Sequence, residues 1–182
     1  STRAEVLIGR YALRSGVGGV ASGAERIEAG EKTIADSFKA AGYATGIFGK
    51  WHNGAQWPYL PSARGFEEVR CFMHGRGEIY FDEVFEDENG RKVKSEGYID
   101  EVSTDYAIDF MTRSRKQPFF CLLTFALPHK PWILKEEDWT PWKDRAIPQT
   151  GERPRQDKKE EARAALAMVE NQDANVGRVL DS

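Results

Sequence analysis

Apolar residues recur along the chain in two spacings, which predict two kinds of element. Unbroken apolar runs predict buried strands over residues 43–48 and 119–125. Helical spacing predicts helices over residues 2–8, 32–41 and 99–110, and from about residue 156 onward. In the last helix, the apolar residues that this spacing places toward the core are Ala162, Leu166, Val169 and Val176.

Local signals add a helix cap and a hairpin to this pattern. Thr2 and Glu5 have the spacing of a capping box, in which each side chain binds the backbone N–H of the other residue. Asn89-Gly90 predicts a tight turn and a peripheral hairpin insertion over residues 79–95. The stretch between Gly54 and the hairpin has no regular pattern, and residues 132–155 form an irregular loop rich in Trp and Pro.

The order helix, strand, helix, strand, helix is typical of an α/β fold with a mostly parallel sheet. A chain of 182 residues can bury one hydrophobic core, and no repeat or low-complexity tract divides it. We therefore predict a single α/β segment over residues 1–182, with the hairpin as a small insertion.

Composition and charge exclude some classes of partner. A net charge of -3 and a pI near 5.7 argue against a nucleic-acid surface. The chain contains no apolar run of the roughly 20 residues that a membrane span requires. Cys71 and Cys121 form no CxxC pair, and the position of Cys121 within an apolar run predicts a buried, inert thiol. Because no Met precedes Ser1, we expect the natural N-terminus to lie elsewhere.

Both predicted strands are followed by a segment that contains a histidine. The first strand leads into the sequence GKWHNG and the second into PHKP. Ligands in open α/β sheets bind beyond the carboxyl ends of the strands, so we expect Lys50, His52 and His129 to share one cleft. Arg3, at a helix N-terminus, adds a guanidinium. Such a cleft would suit a small, highly charged anion.

Each of these residues also has an ordinary structural interpretation. A single histidine after a strand is often a hydrogen-bonded structural residue, and an isolated Arg or Lys is usually solvated. We expect Trp51 to pack in the core. His74 fits a structural role or a position beside the substrate equally well. The combination of residues, and not any one of them, therefore supports the anion site.

Three motifs together resemble one enzyme family. GKWHNG resembles the GKWHLG signature of type I sulfatases, and PHKP resembles their PHxP segment. The opening STRAEVLIGRY resembles the tail of the CxPSRxxLLTGRY signature, in which the Cys is oxidised to formylglycine. Residues 32–45, Gly65-Phe66 and residues 169–173 are also similar to the family, so the resemblance covers nearly the whole chain.

The resemblance implies a partial alkaline-phosphatase-like α/β/α sandwich and hydrolysis of sulfate esters by a formylglycine nucleophile made from an upstream Cys or Ser. By motif position, Arg3 would steady the formylglycine oxygens and Lys50 would bind a sulfate oxygen. His52 would orient or deprotonate the nucleophile, and His129 would contact the sulfate and help the leaving oxygen. His74 would add to substrate binding.

The resemblance also implies a cofactor, a substrate class and a location. The family's Ca²⁺ would be held by ligands outside this chain, so no metal ligand is expected within it. A sulfated small molecule or sulfated glycan would be the substrate, in the periplasm or outside the cell. Substrate choice would depend on residues 57–87 and on the later loop, where Trp132, Trp139 and Trp142 could stack on sugar rings or pack.

The chain departs from the family pattern at several positions. The nucleophile would lie two positions before Ser1, so the chain alone is expected to be inactive. Ser1 stands where the signature prefers Pro, Ile8 where it prefers Thr, and Asn53 where it has Leu. Two alternatives therefore stay open: a degenerate sulfatase-like domain without catalysis, and a phosphonate or phosphate monoester hydrolase with the same cleft.

Overall fold

A computed structural model of the chain describes residues 2–75, 79–147 and 159–182. The α-helices are α1 (Thr2–Ile8), α2 (Ile34–Ala40), α3 (Ile99–Ser114), α4 (Glu136–Trp139) and α5 (Lys159–Leu180). The strands are β1 (Ala44–Lys50), β2 (Glu68–Phe72), β3 (Val84–Glu86), β4 (Lys92–Lys94) and β5 (Phe119–Thr124). Short 3₁₀ helices lie at Ala12–Ser15 and Pro61–Arg64.

The described strands form one sheet in the order β4-β3-β2-β1-β5. β1 pairs in parallel with β2 and β5, so that Gly46 lies between Glu68 and Cys121. β3 pairs antiparallel with β2, and β4 pairs antiparallel with β3. The predicted α/β fold with a parallel sheet core is confirmed. The predicted hairpin also exists, but it extends the main sheet at one edge, and β5 forms the other edge.

Helices cover both faces of the sheet. On one face, Ile47 of β1 joins a core that includes Ala4 and Leu7 of α1 and Ala35 of α2. On the other face, Phe48 packs against Phe110 of α3, at 5.4 Å between ring centroids. α5 packs against α3 in the same outer layer. Adjacent residues of β1 thus serve opposite cores, as strand geometry requires, and the result is the predicted α/β/α sandwich.

α2 begins at a complete capping box. Asp36 N–H donates to the Thr33 hydroxyl at 3.2 Å, and Thr33 N–H donates to the Asp36 carboxylate at 2.9 Å. The capping box predicted for α1 is wrong, because Thr2 already lies within that helix. The Glu5 carboxylate instead accepts from Ala12 N–H at 3.0 Å and so fixes the segment that follows α1.

β2 lies in the stretch for which the sequence pattern predicted no regular element. Val69, Cys71 and Phe72 are buried, while Glu68 and Arg70 are only half-buried. The Arg113 guanidinium donates to Glu68 at 2.7 Å, and Arg70 pairs with Glu88 at 3.3 Å. Because charged residues interrupt the apolar run, the pattern of unbroken hydrophobic stretches does not predict this five-residue parallel strand.

The predicted inward face of α5 is wrong. Leu166, Val169 and Val176 are 40%, 45% and 43% exposed, and the buried residues are Ala164, Ala167, Met168, Asn171 and Asn175. Asn171 Nδ2 donates to Glu101 of α3 at 3.2 Å, and Asn175 Nδ2 donates to the Asn171 carbonyl oxygen at 3.0 Å. Because hydrogen-bonded amides share the buried face of α5 with Ala164, Ala167 and Met168, the spacing of its larger apolar residues indicates the wrong face.

The predicted loop over residues 132–155 contains α4, and its residues 148–155 lie outside the described residues. Trp142 is 9% exposed and packs as expected for at least one of the three tryptophans, with the Arg145 guanidinium 4.2 Å from its ring centroid. No described helix is long and apolar enough to cross a membrane.

Candidate anion-binding site

The carboxyl end of β1 is fixed by its neighbours on two sides. Gly49 has φ +101°, and a Cβ there would lie 2.0 Å from the Thr124 carbonyl oxygen, so only glycine allows β1 and β5 to approach this closely. The carbonyl oxygen of Lys50 accepts from Thr124 Oγ1 at 2.7 Å and from Arg3 Nη1 at 3.0 Å. The backbone of Lys50 is therefore tied both to β5 and to α1.

The residues after Lys50 form a local framework of side-chain to backbone hydrogen bonds. Trp51 is fully buried, and its Nε1 donates to the carbonyl oxygens of Gly54 at 3.0 Å and Tyr59 at 2.8 Å. Asn53 Nδ2 donates to the Trp51 carbonyl oxygen at 2.9 Å. His52 between them has φ +57°, a conformation that L residues rarely adopt outside turns and functional sites. Trp51 packs as predicted.

Arg3 and Lys50 form a cationic cluster that also includes the His52 imidazole, and burial lowers the pKa of all three groups. Burial is the largest cause for Arg3. It also lowers the pKa of Lys50 to about 8, with a further decrease from the Arg3 charge and an opposing increase from Asp100. Burial lowers the pKa of His52, and the charges of Lys50 and Arg3 lower it further, against the hydrogen bond to the Val20 carbonyl and the charge of Glu25.

A cavity of about 490 Å³ opens beside this cluster. The titratable residues that line it are Glu25, His52, His74, His129 and Lys130. Val20, Ala21 and Ser22 of the glycine-rich connection form part of its wall, and His52 Nε2 lies 2.6 Å from the Val20 carbonyl oxygen. His52 thus belongs both to the cationic cluster and to the cavity.

The loop that carries His129 is exposed, and residues from other elements hold it in place. Asp100, in the first turn of α3, accepts from Ala126 N–H at 2.8 Å and from Leu127 N–H at 3.1 Å. The Tyr80 hydroxyl donates to the His129 carbonyl oxygen. Position and orientation of the PHKP loop therefore depend on α3 and on the segment before the hairpin.

The structure brings Arg3, Lys50 and His52 together, and it places His52, His74 and His129 around one cavity. Sequence reasoning missed Asp100 and Glu25. An acidic residue in the first turn of a helix is ordinary, and a Glu after a glycine-rich connection carries no signal of its own. Only the fold reveals that each lies next to the cluster.

The resemblance implies a calcium ion held by ligands outside this chain. In residues 2–75, 79–147 and 159–182, no group of three or more His, Cys, Asp or Glu side chains is placed to hold a metal ion. The described residues therefore supply no calcium site of their own, and we derive no chemical step through the metal.

Both cysteines are free thiols. Burial raises the pKa of the Cys71 thiol strongly, and burial raises the pKa of Cys121 to about 12. Cys121 is half-buried, against the prediction of full burial, because β5 lies at an edge of the described sheet. At neutral pH both thiols are protonated and therefore weak nucleophiles.

A sandwich with cations clustered at the ends of parallel strands defines the class: an α/β protein with a site suited to an oxyanion. The sulfatase family model matches residues 1–182, and the chain belongs to this family. An N-acetylglucosamine-6-O-sulfatase of Bacteroides thetaiotaomicron is 27% identical over 135 residues, which are 72% of this chain and 22% of that protein. Arylsulfatase G of Canis lupus familiaris is 41% identical over 68 residues, 36% of this chain and 13% of that protein.

A solved structure of Ps i-CgsB in complex with k-i-k-neocarrahexaose is similar over 99% of this chain and 43% of its own, with a TM-score of 0.79 and 25% identity. The chain therefore spans less than half of that structure and 22% of the Bacteroides enzyme.

Proposed function

We propose that the protein containing this chain is a sulfuric ester hydrolase that cleaves sulfate esters. The observation that supports this most is the cluster of Arg3, Lys50 and His52, in a chain of the sulfatase family. Neither Arg3 nor Lys50 forms an ion pair with another described residue, so their mutual repulsion is relieved when an anion binds. A sulfate ester supplies such an anion.

The residues of the cluster fit distinct tasks. Lys50 would bind a non-bridging sulfate oxygen, and Arg3 would steady the nucleophile and its charge. The formylglycine expected upstream would supply the nucleophile. Because His52 Nε2–H donates to the Val20 carbonyl oxygen, the lone pair of Nδ1 is left to accept a proton, and the lowered pKa keeps the imidazole neutral at neutral pH. His129, at the cavity, would protonate the leaving oxygen.

The alcohol part of the substrate would occupy the cavity lined by the three histidines, with His74 beside it. A sulfated carbohydrate is favoured over an aryl sulfate because one relative is named an N-acetylglucosamine-6-O-sulfatase and a structural relative was solved with a neocarrahexaose. We also propose that the protein works in the periplasm or outside the cell, with calcium held by residues outside this chain.

The test uses the full-length protein and a sulfate ester assay. Lys50→Ala should lower kcat/KM by roughly 10²- to 10³-fold, because the transition state loses a charge partner. Lys116→Ala, which removes an exposed lysine after α3, is the matched control and should leave kcat/KM unchanged. An unchanged kcat/KM for Lys50→Ala would remove Lys50 from the mechanism.

The two alternatives have separate tests. Parallel assays with an aryl sulfate and a phosphonate monoester distinguish the chemistry, and a large preference for the phosphonate would overturn the proposal. A degenerate domain would hydrolyse neither substrate, and the residue two positions before Ser1 would then be neither Cys nor Ser.

A further inference from the structure

Asp100 is a buried carboxylate with two backbone partners. It is 0% exposed, and it is the one fully buried acidic side chain in the described ranges. Each carboxylate oxygen accepts one amide proton, Oδ1 from Ala126 at 2.8 Å and Oδ2 from Leu127 at 3.1 Å. These two amides directly precede Pro128 and His129, so the carboxylate holds the base of the loop that carries His129.

Burying a carboxylate costs several kcal/mol unless nearby groups compensate for its charge. The two amides compensate in part, and Lys50 is the cation whose charge favours the ionised carboxylate. The other titratable groups that face Asp100 are the phenols of Tyr80 and Tyr98, whose pKa values burial and the Asp100 charge both raise. Among the described residues, Asp100 is therefore an acidic group whose charge acts on Lys50 without a direct ion pair.

The hydrogen bonds and the charge of Asp100 connect the two strand ends that form the site. Lys50 lies at the end of β1, and His129 lies beyond the end of β5, on an exposed loop. Asp100 binds the loop through hydrogen bonds, and it acts on Lys50 through its charge. A carboxylate that only capped α3 would have neither contact, because the amides that a helix cap binds belong to the helix itself.

We propose that Asp100 is a positioning residue of this site, which holds the base of the PHKP loop in place and places a negative charge near Lys50, so that Lys50 and His129 meet the same anion. This inference rests on the proposed function. Asp100 acts through Lys50 and the loop and does not touch the substrate itself.

The test compares Asp100→Asn with the wild-type full-length protein in a sulfate ester assay over a range of pH. Burial and the Arg3 charge lower the pKa of Lys50, and the Asp100 charge raises it. Without Asp100, the pKa of Lys50 falls, so the alkaline limb of kcat/KM should move to lower pH. At the optimum, kcat/KM should fall roughly 10- to 100-fold, as for other residues that support a catalytic shell.

Two further variants separate charge from position. Asp105→Asn makes the same change of charge on the same helix, at an exposed residue that pairs with Arg178, and should leave the pH profile unchanged. Asp100→Glu keeps the charge but displaces the loop by one methylene, so kcat/KM should fall while the alkaline limb stays in place. A wild-type pH profile for Asp100→Asn would overturn the inference.

A measurement on the wild-type protein covers the case in which Asp100→Asn does not fold. Burial raises the pKa of Asp100 to about 6, so the amide resonances of Ala126 and Leu127 should shift together with that midpoint in an NMR titration. Amides that do not respond would overturn the inference. If the wild type hydrolyses no sulfate ester, the proposed function fails. If the wild type is active but the alkaline limb of kcat/KM in Asp100→Asn lies at the wild-type pH, only the role of Asp100 is refuted.

Discussion

The two strand ends that carry the site are built in different ways. After β1, the GKWHNG segment is largely buried and forms its own framework through Trp51 and Asn53. After β5, the PHKP loop is exposed. It has local bonds from His129 N–H to the Ala126 carbonyl oxygen at 3.3 Å and between His129 Nδ1 and the Lys130 carbonyl oxygen at 2.6 Å. Its distant partners are Asp100, Tyr80 and Gln172, whose Nε2 donates to the Leu127 carbonyl oxygen at 2.7 Å. The first segment is anchored in the core by its own residues together with Arg3, Thr124 and the end of β2, whereas the second is exposed and is held at its base by residues far away in sequence.

This difference has a practical meaning for motif-based inference. A buried segment with several contacts, both within itself and to neighbouring elements, can keep its geometry when one contact is lost. A segment held by distant residues keeps its geometry only while those residues are present, so the four-residue motif PHKP does not by itself define the site. Mutations should therefore affect the two strand ends with different severity.

The largest effect should follow from breaking the contact between β1 and β5. Gly49→Ala places a Cβ 2.0 Å from the Thr124 carbonyl oxygen at a residue with φ +101°. The free energy of unfolding of the full-length protein should fall by roughly 3 kcal/mol or more, as measured by chemical denaturation. Gly90→Ala, at φ +75° with no atom within 4 Å of the new Cβ, should lower it by about 1 kcal/mol. Equal losses would contradict a special role for Gly49.

A smaller effect is expected where one remote support of the PHKP loop is removed. Tyr80→Phe deletes the hydroxyl that donates to the His129 carbonyl oxygen. Because that carbonyl lies on an exposed loop, water can replace the hydroxyl, and the free energy of unfolding should fall by only about 1 kcal/mol. In Tyr80→Phe, amide hydrogen exchange should become faster only in the PHKP loop. An equal increase in the GKWHNG segment would contradict the comparison.

The smallest effect concerns the charge at the first strand end. Glu25 raises the pKa of His52, so Glu25→Gln should lower that pKa further, and the proton-accepting imidazole should persist to lower pH. An NMR titration of the His52 ring in the full-length protein measures the change, with Glu96→Gln, an exposed acid outside the cavity, as the control. A higher pKa for His52 in Glu25→Gln would show that the carboxylate does not face the imidazole.

The same contrast explains which features the sequence predicted. β1, β5, α3 and the hairpin have strong local patterns, and Lys50 and His52 lie inside a recognisable segment. β2 was missed because Glu68 and Arg70 interrupt its apolar run. The inward face of α5 was wrong because the buried face combines small or flexible apolar residues with the amides of Asn171 and Asn175, while larger branched residues lie outside it. Asp100 was missed because its importance comes from a hydrogen bond to a residue 26 positions away, which no local pattern contains.

The two edges of the sheet differ in their tolerance of further pairing. β4 is three residues long, and its exposed Lys92 and Lys94 would bring charge against any strand that approached, a common protection against edge-to-edge association. β5 offers six uncharged residues, of which the first five are half-buried and Thr124 is buried. An additional strand, from whatever source, would therefore pair more readily with β5 than with β4, next to the loop that carries His129.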